Sequence, residues 1–124
     1  MLFRSLILPK FDEVTALALG TILVGLARAE NLPIVINIRT ADRTLFHAAL
    51  PGSAPLNDAW ARRKSNVALM FQKSSLVVGT LMREKGSSLA DDGLSEHDYA
   101  DHGGAVPIRV AGVGMVAEIG RAHV

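Results

Sequence analysis

The sequence predicts an α+β domain: an antiparallel sheet with helices on its faces. Three observations predict it. Two pairs of short, β-branched segments, 33–38 with 43–49 and 105–110 with 112–117, are each joined by a tight turn. Longer segments with apolar residues at helical spacing stand before and between these pairs. Eleven glycines and five prolines supply more turns than a helical bundle needs.

The first helix is predicted over 12–30. Val14 to Ala27 is an uncharged run of fourteen residues, shorter than the ~20 needed to cross a bilayer. Ala27-Arg28-Ala29 has the small-x-small look of a signal-peptide cleavage site, but Asp12 and Glu13 stand where a signal peptide carries positive charge. Those acids suit a helix N-terminus and Arg28 suits its C-terminus. Asn31 can take the left-handed cap position, and Pro33 stops continuation. The run is apolar nearly all round, so Leu17 and Leu23 are expected to be buried by the sheet or by a second subunit.

Pro33-Ile34-Val35-Ile36-Asn37-Ile38 reads as a strand, and Ala41-Asp42 as the turn into 43–49. In that second strand Phe46 lies on one face and His47 on the other. Pro51 to Pro55 is a loop. Asn57-Asp58 can cap a helix over 57–72 whose stripe carries Trp60, Lys64, Val67, Ala68 and Phe71. Trp60 and Phe71 are expected to be buried near each other. A further helix, 75–85, ends at Gly86, and 86–104 is a polar, turn-rich segment with a helical turn near 95–99. Pro107 cannot donate to a ladder, which places its strand at an edge or places the proline at a strand start.

Composition narrows function. Thirteen basic against twelve acidic residues give a net charge of +1, which argues against a nucleic-acid binder held by charge. The absence of cysteine excludes disulfides, thiolate catalysis, Cys-ligated zinc and iron–sulfur clusters. No nucleophile motif, Walker loop or dinucleotide fingerprint occurs. Asp91, Asp92, Glu96, Asp98 and Asp101 lack metal-ligand spacing and read as a solvated loop, and Arg62 and Arg63 as a solvated or inter-subunit face. A cytoplasmic protein without membrane or nucleic-acid partners is expected.

The last seven residues, Glu118-Ile-Gly-Arg-Ala-His-Val124, are also the translation of GAG ATC GGA AGA GCA CAC GTC. That string looks like the start of a common sequencing adapter. The expectation is a single domain over 1–117 followed by a non-native tail, 118–124, whose Arg121 and His123 carry no functional weight and which makes few core contacts.

Four features occur in order: PIVINI, RTLFHAALPGSAPLNDAW, ARRKSNVALMF and HGGAVPIRVAGVG. Together they resemble the haem-degrading-domain family, the GlcG- and HbpS-like proteins, in its uncharacterised-protein-family branch. The resemblance covers nearly all of 10–117. It implies a profilin-like α+β fold, homo-oligomers, and a chain in which the end of the last strand and a C-terminal helix are missing. It also implies a small-ligand protein with haem as the candidate cofactor. His47 is then a candidate axial ligand of the haem iron, or a histidine whose hydrogen bond is satisfied within the fold. His102-Gly103-Gly104 could form an anion nest for a propionate, with Arg109 as a second donor; alternatively the glycines only supply positive φ. Lys64 matches the lysine of the family's helix motif, and either pairs with a carboxylate or carbonyl beside an apolar wall or packs its stem on Trp60 with its head in water. The alternative to a haem protein is a non-enzymatic homo-oligomeric scaffold or partner-binding protein.

Overall fold

Asp12 caps the first long helix through its carboxylate, which accepts from the Thr15 amide at 2.9 Å. Asn31 takes φ +53° just past the end of that helix. Helix α1 therefore spans Glu13–Ala29, as its terminal residues predict. In the computed structural model, which describes residues 5–123, the remaining elements are β1 (Leu6–Leu8), β2 (Ile34–Arg39), β3 (Thr44–Ala49), α2 (Pro55–Phe71), α3 (Ser75–Lys85), a 3-10 turn at Leu89–Asp92, β4 (Ala105–Val110) and β5 (Gly114–His123). No described helix is long and apolar enough to cross a membrane.

The strands form one five-stranded sheet in the order β1-β4-β5-β2-β3. Both predicted antiparallel pairs are present: Asn37 lies opposite His47, and Ile108 opposite Ala117. β5 also pairs antiparallel with β2, Ile38 opposite Ile119. The sheet is mixed rather than wholly antiparallel, because β1 adds parallel to β4 with Leu6 opposite Ile108. The short Leu6–Leu8 segment carries too few residues for an alternation to be read, and sequence reasoning missed it. It also makes β4 an interior strand, not an edge. Pro107 is accommodated because the β1 ladder begins only at Ile108.

Alternation sorts the side chains onto two faces. Ile34 and Ile36 pack on Ala27 of α1, and Ile38, Ile108 and Ala117 pack on Ala16. Val35 and Ala122 face α2 and meet Ala61. β2 is thus covered on both sides, which explains why PIVINI is a continuous apolar run. Phe46 lies on the α1 face, where its ring presses on Gly20 and a Cβ there would collide with it. His47 lies on the α2 face, as predicted.

Three expectations are corrected. Asn57 does not begin α2; the helix starts at Pro55, and the Asn57 side-chain Oδ1 reaches back to accept from the Ala54 amide at 2.7 Å. Trp60 and Phe71 belong to different clusters, Trp60 with Ala61 and Val35, Phe71 with Val67 and Val78. Eleven residues of helix separate them by roughly 16 Å. The sheet does not bury Leu17, which is 60% exposed on the single chain, because α1 lies on the sheet through Ala16, Gly20 and Ala27; of the two expected covers only a second subunit is left.

The tail does not stand apart from the core. β5 continues through Glu118, Gly120 and Ala122, all buried and all paired with β2. Backbone pairing accepts almost any side chain, so this segment completes the ladder whatever its origin. Gly120 and Ala122 fit closely against α2, whereas the Glu118 carboxyl is buried without a hydrogen-bond partner.

Candidate functional site

The site grows from the segment that joins α3 to β4. Gly79 of α3 has no Cβ to separate it from the Asp101 carbonyl, so the helix seats this segment directly on its backbone. Ser75 Oγ accepts from the Ala105 amide at 3.0 Å and fixes the start of β4. Residues 95–101 are strapped onto α2. Arg62 binds Asp98 at 3.1 Å and the His97 carbonyl at 3.2 Å. Arg63 donates to the Glu96 carbonyl at 2.8 Å, and Asn66 to the Asp98 carbonyl at 2.8 Å. The two arginines are therefore a clamp, not a free solvated face.

This strapping places His102, Gly103 and Gly104 beside α2. Gly104 takes φ +142°, and a Cβ there would collide with the Arg121 carbonyl oxygen and the Lys64 ammonium. Only glycine fits. Gly103 has no positive φ among the described residues and a Cβ would make ordinary contact with Leu76, so the paired-glycine nest reduces to one obligate glycine. His102 is exposed and sets its ring edge-on to Trp60, centroids 5.5 Å apart. Arg63 lies over the same indole, its guanidinium carbon 4.5 Å from the centroid.

Lys64 does not carry its head into solvent. It is only 9% exposed, and its Nζ donates to the Gly103 carbonyl at 3.1 Å. Burial, then the positive charge of Arg121, lowers its pKa below the ordinary 10.5. The ammonium thus stands directly behind the Gly103–Gly104 bend.

On the α1 face this bend forms one end of a cleft of about 630 Å³. Leu19 and Leu23 of α1, Val106 and Ile119 of the sheet, and Leu6 make its apolar walls; Ser74 and Leu76 lie at the α3 end. The cleft exists because α1 covers β2 and β3 but leaves the β4 side of that face open. Such a volume and apolar lining suit a small-molecule ligand.

The other predicted residues are elsewhere. Arg109 donates to the Gln72 carbonyl at the end of α2, five strand residues or roughly 16 Å from Gly104, so it cannot share a ligand edge with the glycines. His47 binds Asp58 on the first turn of α2, Nε2 to Oδ1 at 3.0 Å, with 43% of its side chain exposed. It is the satisfied histidine. Neither His47 nor His102 lines the apolar cleft.

Sequence reasoning missed a buried polar cluster under α2. Ser65 Oγ donates to Asn37 Oδ1 at 3.2 Å, and Glu118 stands beside them fully buried, neither carboxylate oxygen having a hydrogen-bond partner. Burial pushes its pKa to about 8, an effect the Ser65 hydroxyl and the charge of Arg39 offset only in part. The signal for half of this cluster was readable: Asn37 interrupts an otherwise apolar strand.

A mixed five-stranded sheet with helices on both faces, an apolar cleft on one of them and a glycine bend backed by a buried lysine define a small α+β domain. The profile of the family described as haem-degrading protein HbpS-like matches residues 11–122, and the chain belongs to that family. It is 45% identical over 117 residues to the UPF0303 protein SCO2848 of Streptomyces coelicolor, covering 94% of this chain and 74% of the relative. Among solved structures, the Ybr137w protein superposes with a TM-score of 0.82 at 29% identity, over 95% of this chain and 70% of that one. The PduOC–haem complex superposes with a TM-score of 0.71 at 16% identity, over 93% and 82% respectively, a likeness of fold.

Proposed function

We propose that the chain binds a flat, apolar, carboxylate-bearing ligand of the haem class in the cleft between α1 and the β4–β5 side of the sheet. The observation that carries this is the coincidence of an apolar cleft with the Lys64 ammonium behind the bend that closes one end of it. A macrocycle would lie against Leu19, Leu23, Val106 and Ile119. Its acidic edge would meet the Gly103–Gly104 bend and Arg121, which line that end of the cleft, with the Lys64 ammonium behind the bend. Membership in the HbpS-like family and the fold shared with a haem complex support the ligand class.

The fit is to the macrocycle and its acids, not to the iron. Among the described residues no histidine, methionine or tyrosine side chain lines the cleft, and His47 is held by Asp58 outside it. The reading is therefore one of binding, and no redox step is derived. Haem brings iron-centred oxidation chemistry where it is bound; this chain's residues supply shape, exclusion of water and the positive charge of Arg121 and Lys64. The same reading holds the chain to be a homo-oligomer, because α1 keeps an uncovered apolar face.

Titration with haem, iron-free protoporphyrin and protoporphyrin dimethyl ester, followed by absorbance, tests it. Haem and iron-free protoporphyrin are expected to bind within about threefold of each other, and the ester roughly tenfold more weakly. Lys64→Met should weaken binding of the acid toward that of the ester, and His47→Ala should change neither. Equal affinity for acid and ester, or no change in the Soret band at stoichiometric haem, would overturn the proposal.

A further inference from the structure

We infer that α1 is the contact between two copies of this chain, packed antiparallel about a two-fold axis near Thr21. The inference rests on the self-association read above and specifies its surface and geometry.

The outer face of α1 is the molecule's most extensive uncovered apolar surface among the described helices. Val14, Leu17, Ile22 and Leu26 are each between 60% and 76% exposed, and no charged residue lies between Glu13 and Arg28. Contiguous exposed apolar surface of this kind marks an interaction site. Ala18, Thr21 and Gly25 run down the middle of the same face at steps of three and four. A Cβ on Gly25 would touch nothing. Small residues along the centre with larger ones at the flanks give a second helix a shallow groove at the 3.5-residue spacing of a helix–helix seam.

Charge decides the partner and its direction. A helix that lies on a membrane carries a Lys/Arg-rich polar face, and α1 holds a single basic residue, Arg28. A second α1 is complementary instead. Its acids, Asp12 and Glu13, lie at the N-terminal end, where Glu13 also pairs with Arg43 of its own chain at 3.3 Å, and Arg28 lies at the C-terminal end. Glu30, two residues beyond, points roughly 200° further round the helix. Antiparallel packing brings each Arg28 to the partner's acidic end and opposes the two helix dipoles, whereas parallel packing sets acid against acid. A two-fold contact is self-complementary, so one face serves both copies.

The chain has no cysteine, so single introduced cysteines report the geometry. Thr21→Cys should oxidise to a disulfide-linked dimer. Leu17→Cys should not link to itself but should link when mixed with Gly25→Cys, because residues 17 and 25 lie equidistant from the axis. Ile22→Lys should halve the mass measured by light scattering at tens of micromolar, from a multiple of two chains. None of these residues lines the ligand cleft, so porphyrin binding should persist in every variant. A wild-type monomer would overturn both the self-association and this contact. An oligomer in which Leu17→Cys links to itself, or one untouched by Ile22→Lys, would overturn the antiparallel α1 contact alone. A monomer that co-sediments with anionic phospholipid vesicles would replace the second copy with a membrane.

Discussion

Replacing Glu118 with valine is expected to stabilise the fold, and to do so most above pH 8. The Glu118 carboxyl is fully buried without a hydrogen-bond partner. Its pKa rises from the ordinary 4.5 to about 8, mainly because burial penalises the charged form. The folded state therefore binds a proton that the unfolded chain has already lost between these two values. Stability is fully present below about pH 4.5, falls as pH rises, and levels off above about 8. At roughly 1.4 kcal/mol per pH unit the fall amounts to about 5 kcal/mol, comparable with the whole stability of a domain this size. Glu118→Val removes the titrating group and places a β-branched side chain in the middle of a strand. Urea melts at pH 5 and pH 9 should show a large difference for the wild type and a small one for the variant. Equal pH dependence in both would mean that Glu118 finds a partner or reaches water.

The same position gives the adapter reading of residues 118–124 a physical consequence. Strand pairing with β2 and β4 fixes where residue 118 points, and that direction is into the interface with α2, next to Asn37 and Ser65. A carboxylate there is costly, and the Ser65 hydroxyl and the charge of Arg39 compensate it only in part. Rereading the gene from intact genomic DNA is expected to return a small or apolar residue at this position. Glutamate in the genomic frame would show the tail to be the protein's own.

How much of this was legible in the sequence depended on whether the signal was local. Asp12, Arg28 and Asn31 mark both ends of α1 through their own backbone bonds, and those ends were readable to a residue or so. The alternation that separates Phe46 from His47 was equally local. What could not be read was non-local. Leu6–Leu8 becomes a strand only because β4 offers an edge just over a hundred residues away. Lys64 is drawn inward by a carbonyl thirty-nine residues on, so stripe position alone left open whether its head met a carbonyl or water. Arg109 lies in the right strand but at the wrong end, a distinction that depends on where α2 stops. The glycine bend was legible as a motif, yet which of its two glycines is obligatory required the positions of Lys64 and Arg121.

Gly79→Ala is expected to damage fold and site together. Gly79 lies in the middle of α3, where alanine would ordinarily favour a helix by up to ~1 kcal/mol. Here the added Cβ would fall inside the van der Waals surface of the Asp101 carbonyl, a backbone atom that no rotamer change can move aside. Either α3 lifts off or the 100–104 segment shifts. Lifting α3 strains the Ser75–Ala105 bond and the Val67–Val78 packing. Shifting the segment displaces Gly103, whose carbonyl holds Lys64. Overpacking of this kind costs about 1–3 kcal/mol and sometimes more, and a rigid backbone neighbour puts the change at about 3 kcal/mol, or roughly 10 °C in melting temperature for a domain this size. Because Asp101 leads directly into His102-Gly103-Gly104, the surviving folded fraction should also bind the dicarboxylate porphyrin more weakly while its affinity for the ester is unchanged. Thermal melting and paired titrations separate the two effects. A variant as stable as the wild type would show that the segment moves freely away from α3, and equal loss of acid and ester binding would show that the cleft itself, not the Lys64-backed bend, had been disturbed.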